Sequence, residues 1–227
     1  MIQSDDISMT PDDARDPWAR IGYPIAKRCL DLGGAMLLLI ALLPLLVLVA
    51  IWIKRDSPGP VLFRQKRTGQ HGRPFTIYKF RSMVADADES VHRDYFIGLL
   101  KRGEQLGDAT MFKVPSDSRV TRAGAFLRKT SVDELPQLFN VVLGEMSLVG
   151  PRPPIPYEVE QYEPWMRRRL DVPPGMSGLW QVSGRSRLSV EDMFRLDVEY
   201  VERRSLALDL KILLLTIPTV LRPGRAA

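Results

Sequence analysis

The chain contains little cysteine and little histidine, and both shortages limit its chemistry. Of its 227 residues one is cysteine, at Cys29, and two are histidine. A single cysteine cannot form a disulfide within the chain, and these three residues cannot build an all-His/Cys zinc site. Any metal ion is therefore expected to be a hard cation bound by carboxylate oxygens, and Mg²⁺ is the natural candidate.

The chain also lacks the short signatures of several nucleotide-binding and nucleic-acid-binding folds. Neither G-x-G-x-x-G nor the P-loop lysine pattern occurs, and no zinc finger, base-reading basic helix or aromatic RNA-binding signature is present. The net charge is +5 although five aspartates lie within residues 1–16, so the rest of the chain is more basic than the total. This charge suits anionic lipid headgroups or a nucleotide diphosphate, and we expect no nucleic-acid partner.

One long apolar segment is present. Leu32 to Ile53 is a run of 22 uncharged residues, and as a helix of about 33 Å it could cross a bilayer. A basic pair flanks the run on each side, so the positive-inside rule draws both ends toward the cytoplasm. Pro44, near the middle, removes a backbone donor and favours a kink. We therefore expect a bent, re-entrant helix, with an ordinary tilted span as the alternative.

The rest of the chain predicts a polar leader and one domain. Residues 1–20 are acidic and predict a mobile leader, and residues 21–56 contain the membrane helix. Residues 57–205 are expected to form the catalytic domain. Leu206–Leu221 is mostly apolar but carries charges and a proline, so residues 206–227 predict an interfacial or core-packing helix followed by a tail. The expected fold class is helix-rich α+β.

A short β-hairpin is expected next to the membrane segment. Val61–Gln65 and Phe75–Arg81 have strand-like composition and are separated by a turn at Gly69–Gly72. Because side chains alternate along a strand, Lys79 and Arg81 should point the same way. A solvated strand edge is the alternative explanation for this spacing.

Helical spacing of apolar residues predicts two further helices. Asp86–Arg102 and Glu191–Arg204 carry such residues among charged ones. Between them, the triplet Arg167 to Arg169 predicts a solvated cationic face, with contact to lipid headgroups as the alternative.

The strongest chemical signal lies between Arg128 and Arg152. The adjacent carboxylates Asp133 and Glu134 stand between these two cations, and the pair should lie at a helix start. A carboxylate can attack phosphorus or hold a divalent cation, and a guanidinium group binds phosphate oxygens in a fork. A plainer interpretation is also open, because Ser131 and Glu134 have the S-x-x-E spacing of a helix capping box.

Four segments together resemble one known family. The chain from Lys27 to Leu221 is similar to the bacterial sugar transferases, which are monotopic polyprenyl-phosphate hexose-1-phosphate transferases, also called phosphoglycosyl transferases. The segments that carry this resemblance are DSPGPVLFRQKRTG (Asp56–Gly69), IYKFRSM (Ile77–Met83), the run Arg128–Pro153 and PGMSGLWQVSGRS (Pro174–Ser186).

The resemblance implies a location and a reaction. It implies a re-entrant hairpin that holds the catalytic domain against the cytoplasmic face of the bacterial inner membrane, although many members have serine before the proline where this chain has Leu43. It further implies that Asp133 attacks the β-phosphorus of a UDP-sugar and expels UMP. Polyprenyl (undecaprenyl) phosphate then takes the sugar phosphate from the aspartyl intermediate, as the initiating step of exopolysaccharide, capsule, O-antigen or glycoprotein glycan synthesis.

The resemblance also implies roles for particular residues. Asp133 and Glu134 are expected to be catalytic and to hold Mg²⁺. The cations expected to bind the substrate phosphates and nucleotide are Lys79, Arg81, Arg128, Arg152 and Arg185. Two other functions stay open, namely a membrane-anchored glycosyltransferase that releases UDP and a non-catalytic membrane scaffold of glycan export. The sequence leaves a homodimer open.

Overall fold

The computed structural model describes residues 22–84, 93–98, 119–184 and 188–221, and it is helix-rich α+β as the sequence predicts. Short 3₁₀ helices lie at Gln70–Gly72, Val132–Glu134 and Met166–Asp171. The α-helices and β-strands are α1 (Tyr23–Asp56), β1 (Leu62–Thr68), β2 (Pro74–Phe80), α2 (93–98), α3 (Arg122–Thr130), α4 (Gln137–Leu143), β3 (Ser147–Val149), α5 (Pro156–Glu160), β4 (Gly175–Ser177), α6 (Leu179–Ser183), α7 (Val190–Arg203) and α8 (Leu206–Leu221).

The helix α1 contains the whole apolar run. It has 34 residues and stays helical through Pro44. Among the described residues it is the one helix long and apolar enough to cross a membrane. Large apolar side chains near its middle are exposed, including Leu37 at 68%, Ile40 at 68% and Leu48 at 65%. This exposure is costly in water and suits a lipid environment. Whether α1 is re-entrant stays a prediction.

The predicted hairpin is confirmed, with strands that differ in length from the prediction. β1 and β2 pair antiparallel from Leu62 opposite Phe80 to Thr68 opposite Pro74. The turn contains a residue with positive φ, His71 at 54°. β2 ends at Phe80, so Arg81 lies just outside the ladder, although its N–H still bonds the carbonyl of Val61.

The main core joins α1 to the elements that follow it. Ala35 of α1 packs in one buried cluster with Leu138 of α4, Tyr200 of α7 and Ile212 of α8. The far end of α1 enters a different cluster, in which Ile53 packs with residues of β2 and α3. Both ends of α1 therefore belong to the packing of the same domain.

A second core forms around α7, where the predicted helix is confirmed at Val190–Arg203. Phe96 of α2 is 1% exposed and packs there with Phe194. Of the predicted helix Asp86–Arg102, residues 93–98 are helical and the remainder lies outside the described residues. The predicted leader, residues 1–20, also lies outside them.

The solvated cationic face predicted at Arg167 to Arg169 is wrong for Arg169. Arg167 and Arg168 are exposed, but Arg169 is 2% exposed and lies 2.6 Å from a carboxylate oxygen of Asp197. The segment forms a 3₁₀ helix, in which every third residue returns to the same side. That winding turns Arg169 inward beside Met166, while its two neighbours remain in solvent.

A buried polar cluster fixes the start of α1. The ammonium group of Lys27 lies 3.2 Å from Asp31 and 3.2 Å from Asp209 of α8. Asp209 is fully buried, and the hydroxyl groups of Tyr23 and Tyr200 lie 3.1 Å and 2.8 Å from its carboxylate. We call these five residues the α1 clamp.

The α1 clamp also contacts β3. The N–H of Leu148 donates to Asp31 at 3.0 Å. The hydroxyl of Tyr200 lies 3.0 Å from the carbonyl oxygen of Val149. The clamp therefore ties α1 to the strand that leads into the segment around Arg152.

Candidate active site

The adjacent carboxylates lie in a tight turn between two helices. α3 ends at Thr130, and Ser131 adopts a left-handed conformation with φ of 58°. The single 3₁₀ turn Val132–Glu134 follows and leads into α4, so the predicted position at a helix start is confirmed. Asp133 is 6% exposed. Because a 3₁₀ helix turns by about 120° per residue, the two carboxylates diverge.

The capping-box interpretation is wrong. The side chain of Ser131 makes no capping hydrogen bond, and the N–H of Glu134 instead bonds its backbone carbonyl at 3.2 Å. The carboxylate of Glu134 accepts a hydrogen bond from the ammonium group of Lys79 at 2.8 Å. The left-handed conformation of Ser131 explains the failure, because an N-cap residue normally has extended backbone angles.

Lys79 reaches this turn from the hairpin. The register pairs Lys79 with Phe63 and Arg67 with Phe75, so both cations lie on the same face of the sheet. The Lys79–Glu134 pair is partly exposed, with 20% of the lysine side chain and 36% of the glutamate side chain accessible. A bound phosphate could reach this ammonium group without a large rearrangement of the fold.

Arg81 contacts a different part of the molecule. Its guanidinium group donates to the carbonyl oxygens of Pro58 and Ser57, both at 2.7 Å, and to the hydroxyl of Ser57 at 2.9 Å. These bonds hold the segment that leaves α1. Its predicted role in substrate binding stays a prediction.

Arg152 lies in a loop that follows β3. Here β3 and β4 run parallel, and the backbone approaches closely at Gly150 and Gly175. A Cβ atom added to Gly175 would lie only 2.0 Å from the nitrogen of Gly150. No side chain fits at that contact, so both positions require glycine. The contact brings the segment containing Arg152 against the segment Pro174–Ser186 that carried part of the resemblance.

A buried glutamate and a buried arginine support Arg152. A guanidinium nitrogen of Arg152 lies 3.5 Å from the carboxylate of Glu158, which is fully buried and also accepts the N–H of Ile155. Arg67 is 6% exposed and donates to the carbonyl of Pro153 at 3.0 Å. Arg67 lies beyond the predicted strand Val61–Gln65, and only the observed register places it on the same face as Phe75.

Electrostatics link Arg67 to both halves of the site. Burial, together with the charge of Arg152, lowers the pKa of Arg67 to about 10, whereas Glu158 and Glu134 oppose the shift. Arg67 therefore senses the turn that carries Glu134 and the loop that carries Arg152. The turn that carries Glu134 and the loop that carries Arg152 are therefore both close enough to Arg67 to interact with its charge.

The remaining predicted cations are less defined. Arg128 is half-buried in the last turn of α3, one turn before the carboxylates. Arg185 lies outside the described residues. The roles of both stay predictions.

The carboxylate pair supplies few ligands for a metal ion. Within residues 22–84, 93–98, 119–184 and 188–221, no group of three or more His, Cys, Asp or Glu residues could hold one. In this part of the chain, Asp133 and Glu134 therefore have no third protein ligand of these types beside them. The number of carboxylates fits Mg²⁺, which commonly keeps waters and takes one or two carboxylates together with substrate phosphates, although the side chains of Asp133 and Glu134 diverge in this structure.

The profile of the bacterial sugar transferase family matches residues 22–223. The chain belongs to this family. Relatives of this sugar transferase include the galactosyl transferase CpsE of Streptococcus agalactiae, 45% identical over 89% of this chain and 43% of that protein. The undecaprenyl-phosphate galactose phosphotransferase of Salmonella typhimurium is 42% identical over 86% of this chain and 40% of that protein.

A shorter relative is matched over most of its length. The exopolysaccharide production protein ExoY of Sinorhizobium fredii is 41% identical over 86% of this chain and 85% of that protein. The sugar transferase described here therefore spans about two-fifths of the two longer relatives and most of ExoY. The resemblance drawn from the four sequence segments is confirmed.

Proposed function

We propose that the protein transfers a hexose-1-phosphate from a UDP-sugar to polyprenyl (undecaprenyl) phosphate. The observation that carries this proposal is the buried Asp133, which lies next to the Lys79–Glu134 pair in a member of the sugar transferase family. One relative is an undecaprenyl-phosphate galactose phosphotransferase, which supports the same class of reaction. The product would be a polyprenyl-diphospho-sugar that initiates a surface glycan.

In the proposed mechanism the reaction proceeds in two displacements at the same phosphorus. A carboxylate oxygen of Asp133 forms a bond to the β-phosphorus of the donor, and the bond from that phosphorus to the bridging oxygen breaks, releasing UMP with the electron pair. An oxygen of polyprenyl phosphate then attacks the acyl phosphate and regenerates the carboxylate. Arg152 and Lys79 would bind phosphate oxygens whose charge grows during each step.

A magnesium ion would be held by Asp133 and Glu134 together with oxygens of the diphosphate. Such hard oxygen ligands suit Mg²⁺, and when bound it would neutralise charge on the departing nucleotide. In the structure the carboxylate of Glu134 forms an ion pair with the ammonium group of Lys79 at 2.8 Å. Glu134 would offer a carboxylate oxygen to the ion, and the neighbouring Lys79 would bind a phosphate oxygen of the donor.

The membrane geometry fits an acceptor whose phosphate lies at a bilayer surface. The end of α1 is held through Asp56, whose carboxylate accepts the N–H of Ala123 at 3.0 Å, while its start is held by the α1 clamp. If α1 crossed the bilayer in a straight line, its two ends would lie on opposite sides. A domain that contacts both ends would then have to extend through the hydrocarbon, where exposed polar groups are costly. The contacts at both ends support a re-entrant helix on the cytoplasmic face of the bacterial inner membrane.

The nucleophile is tested by Asp133→Asn in the full chain, assayed in nanodiscs with undecaprenyl phosphate and a panel of UDP-sugars. UMP release should be abolished while membrane association survives. The exposed Asp171 provides a matched control, since Asp171→Asn makes the same chemical change away from the site and should leave turnover unchanged.

Two further readouts separate the proposal from its rivals. Radiolabel from a UDP-sugar with ³²P at the β-position should stay with denatured wild-type protein and not with Asp133→Asn. Release of UDP in place of UMP would identify a glycosyltransferase that moves only the sugar. Undiminished product formation by Asp133→Asn would refute a covalent role for this carboxylate.

A further inference from the structure

The segment Gly150–Ile155, which we call the proline loop, has too few backbone N–H groups to donate hydrogen bonds to its own carbonyl groups. Prolines at 151, 153 and 154 lack N–H groups, so the loop offers mainly carbonyl acceptors. Every residue of the loop except Arg152 is buried. Buried carbonyl groups need hydrogen-bond donors, and here the donors must come from other parts of the fold.

Four consecutive carbonyl groups of the proline loop accept hydrogen bonds from outside it. Two of the donors are backbone N–H groups and two are guanidinium groups of buried arginines. In chain order, the carbonyl of Pro151 accepts from the N–H of Gly175 at 2.8 Å, that of Arg152 from Arg169 at 3.1 Å, that of Pro153 from Arg67 at 3.0 Å and that of Pro154 from the N–H of Thr68 at 2.9 Å.

Arg169 is itself held from two sides. One of its terminal nitrogens donates to the hydroxyl of Tyr162 at 2.8 Å, and the other lies 2.6 Å from Asp197 and donates to the carbonyl of Arg152. Its guanidinium group also lies 5.0 Å from the centre of the Phe194 ring. A buried ion pair of this kind adds little net stability but permits few geometries.

We propose that Arg169 is a positioning residue for Arg152. By bonding the carbonyl of Arg152, while Arg67 bonds the next carbonyl, it sets the backbone direction from which the guanidinium group of Arg152 meets the donor diphosphate. Arg169 is buried and acts through Arg152 without touching substrate. This inference rests on the proposed function, which assigns a phosphate to Arg152.

The planar fork of arginine is needed at position 169. Its two terminal nitrogens serve Tyr162 and the carbonyl of Arg152 separately, whereas a lysine presents one nitrogen. Arg169→Lys keeps the positive charge opposite Asp197 but loses the second terminal nitrogen, so the two hydrogen bonds can no longer form together. The neighbouring Arg168 is a matched control, because it is exposed and pairs with Glu202 on the surface.

The experiment measures donor affinity by calorimetry in nanodiscs. All variants carry Asp133→Asn, so the donor is not consumed, and the probe is UDP-galactose or UDP-glucose, whichever supports the higher wild-type turnover. Arg169→Lys is expected to weaken binding about tenfold or more, the loss expected when a hydrogen bond to a charged group is misplaced. Arg168→Lys should bind within about twofold of the Asp133→Asn parent, as expected for an exposed surface pair.

A second background separates positioning from damage to the fold. If Arg169 acts through Arg152, Arg169→Lys should cause no further loss of affinity in a protein that already carries Arg152→Met. Partial unfolding would instead lower the number of binding sites and leave the dissociation constant unchanged. An undiminished affinity in Arg169→Lys, or an equal loss in both backgrounds, overturns the inference.

The same data distinguish the inference from the function on which it rests. If Arg152→Met bound the donor as tightly as the Asp133→Asn parent, that result would contradict the proposed phosphate role of Arg152 itself. Should Arg169→Lys fail to fold, Tyr162→Phe replaces it, because this change removes one hydrogen bond and spares the ion pair with Asp197. It should weaken donor binding about two- to tenfold, the range expected for one hydrogen bond, and unchanged binding would count against positioning.

Discussion

Removing the charge of Lys27 should destabilise the protein far more than its place at the start of a membrane helix suggests. The ammonium group lies 3.2 Å from each of two carboxylates, Asp31 and the fully buried Asp209. The gross attraction is about 5 kcal/mol per pair at an effective dielectric constant of 20, and desolvation offsets most of it. Lys27→Met leaves both carboxylates without their cation, which costs about 3–5 kcal/mol.

That cost is a large part of total stability and has a natural limit. Folded domains are stable by about 5–15 kcal/mol, and for a chain of this size each kcal/mol corresponds to about 2–4 °C in melting temperature. Burial already raises the pKa of Asp209, and Lys27 opposes that shift. Without Lys27 the pKa rises further, so proton uptake by Asp209 limits the loss. We expect a melting temperature lower by about 10 °C.

The assay is thermal unfolding in nanodiscs, followed by tryptophan fluorescence at neutral pH. Lys54→Met is the control on the same helix, because Lys54 is exposed and its ammonium group bonds only the neutral carbonyl of Gly59, at 3.0 Å, among its contacts in the described residues. It should cost about 0.5–1.5 kcal/mol. Equal shifts in the two variants would show that the α1 clamp is not a buried charge network, and the reasoning would fail.

Three further outcomes are expected. A double-mutant cycle of Lys79→Met and Glu134→Gln should give a coupling free energy of about 1 kcal/mol in unfolding, since the pair is partly exposed; strict additivity would deny the pair. Gly175→Ala should lower the free energy of unfolding by about 1–3 kcal/mol or more because its Cβ atom would meet backbone at 2.0 Å, whereas Gly33→Ala, with nothing within 4 Å, should not lower it. Burial raises the pKa of Asp197 from 3.8 to about 6. The folded protein therefore binds a proton that the unfolded chain has lost, so the free energy of unfolding should fall as the pH rises from about 4 to 6, and Asp197→Asn should flatten this slope in denaturant titrations.

The sequence predicted the elements whose signals are local. The apolar run of α1, the hairpin and the helix α7 follow from composition, turn residues and periodicity, each of which acts over a few residues. The observed ends of strands differ from the predicted ends where hydrogen bonding between the strands sets them. β2, for example, ends at Phe80, because the ladder with β1 ends where Leu62 lies opposite that residue.

The site was predictable in part. The carboxylate turn was visible as an adjacent pair near a proline, and the lysine of the hairpin was visible by alternation and resemblance. The capping-box alternative could not be dismissed from spacing, because it depends on the backbone angles of Ser131. Arg67 and Arg169 were missed as site residues because an arginine in a charged segment usually lies in solvent. Their burial depends on partners far along the chain.

The sequence by itself determined a membrane-associated α+β fold, its family and the identity of the carboxylate pair. Those features arise from side-chain chemistry and from backbone periods that neighbouring residues set. Only the tertiary structure decided that Glu134 pairs with Lys79, that Arg169 turns inward to Asp197, and that outside donors hold the proline loop. Such contacts join residues tens of positions apart, and their energies depend on burial and geometry that exist only once the helices and strands have packed.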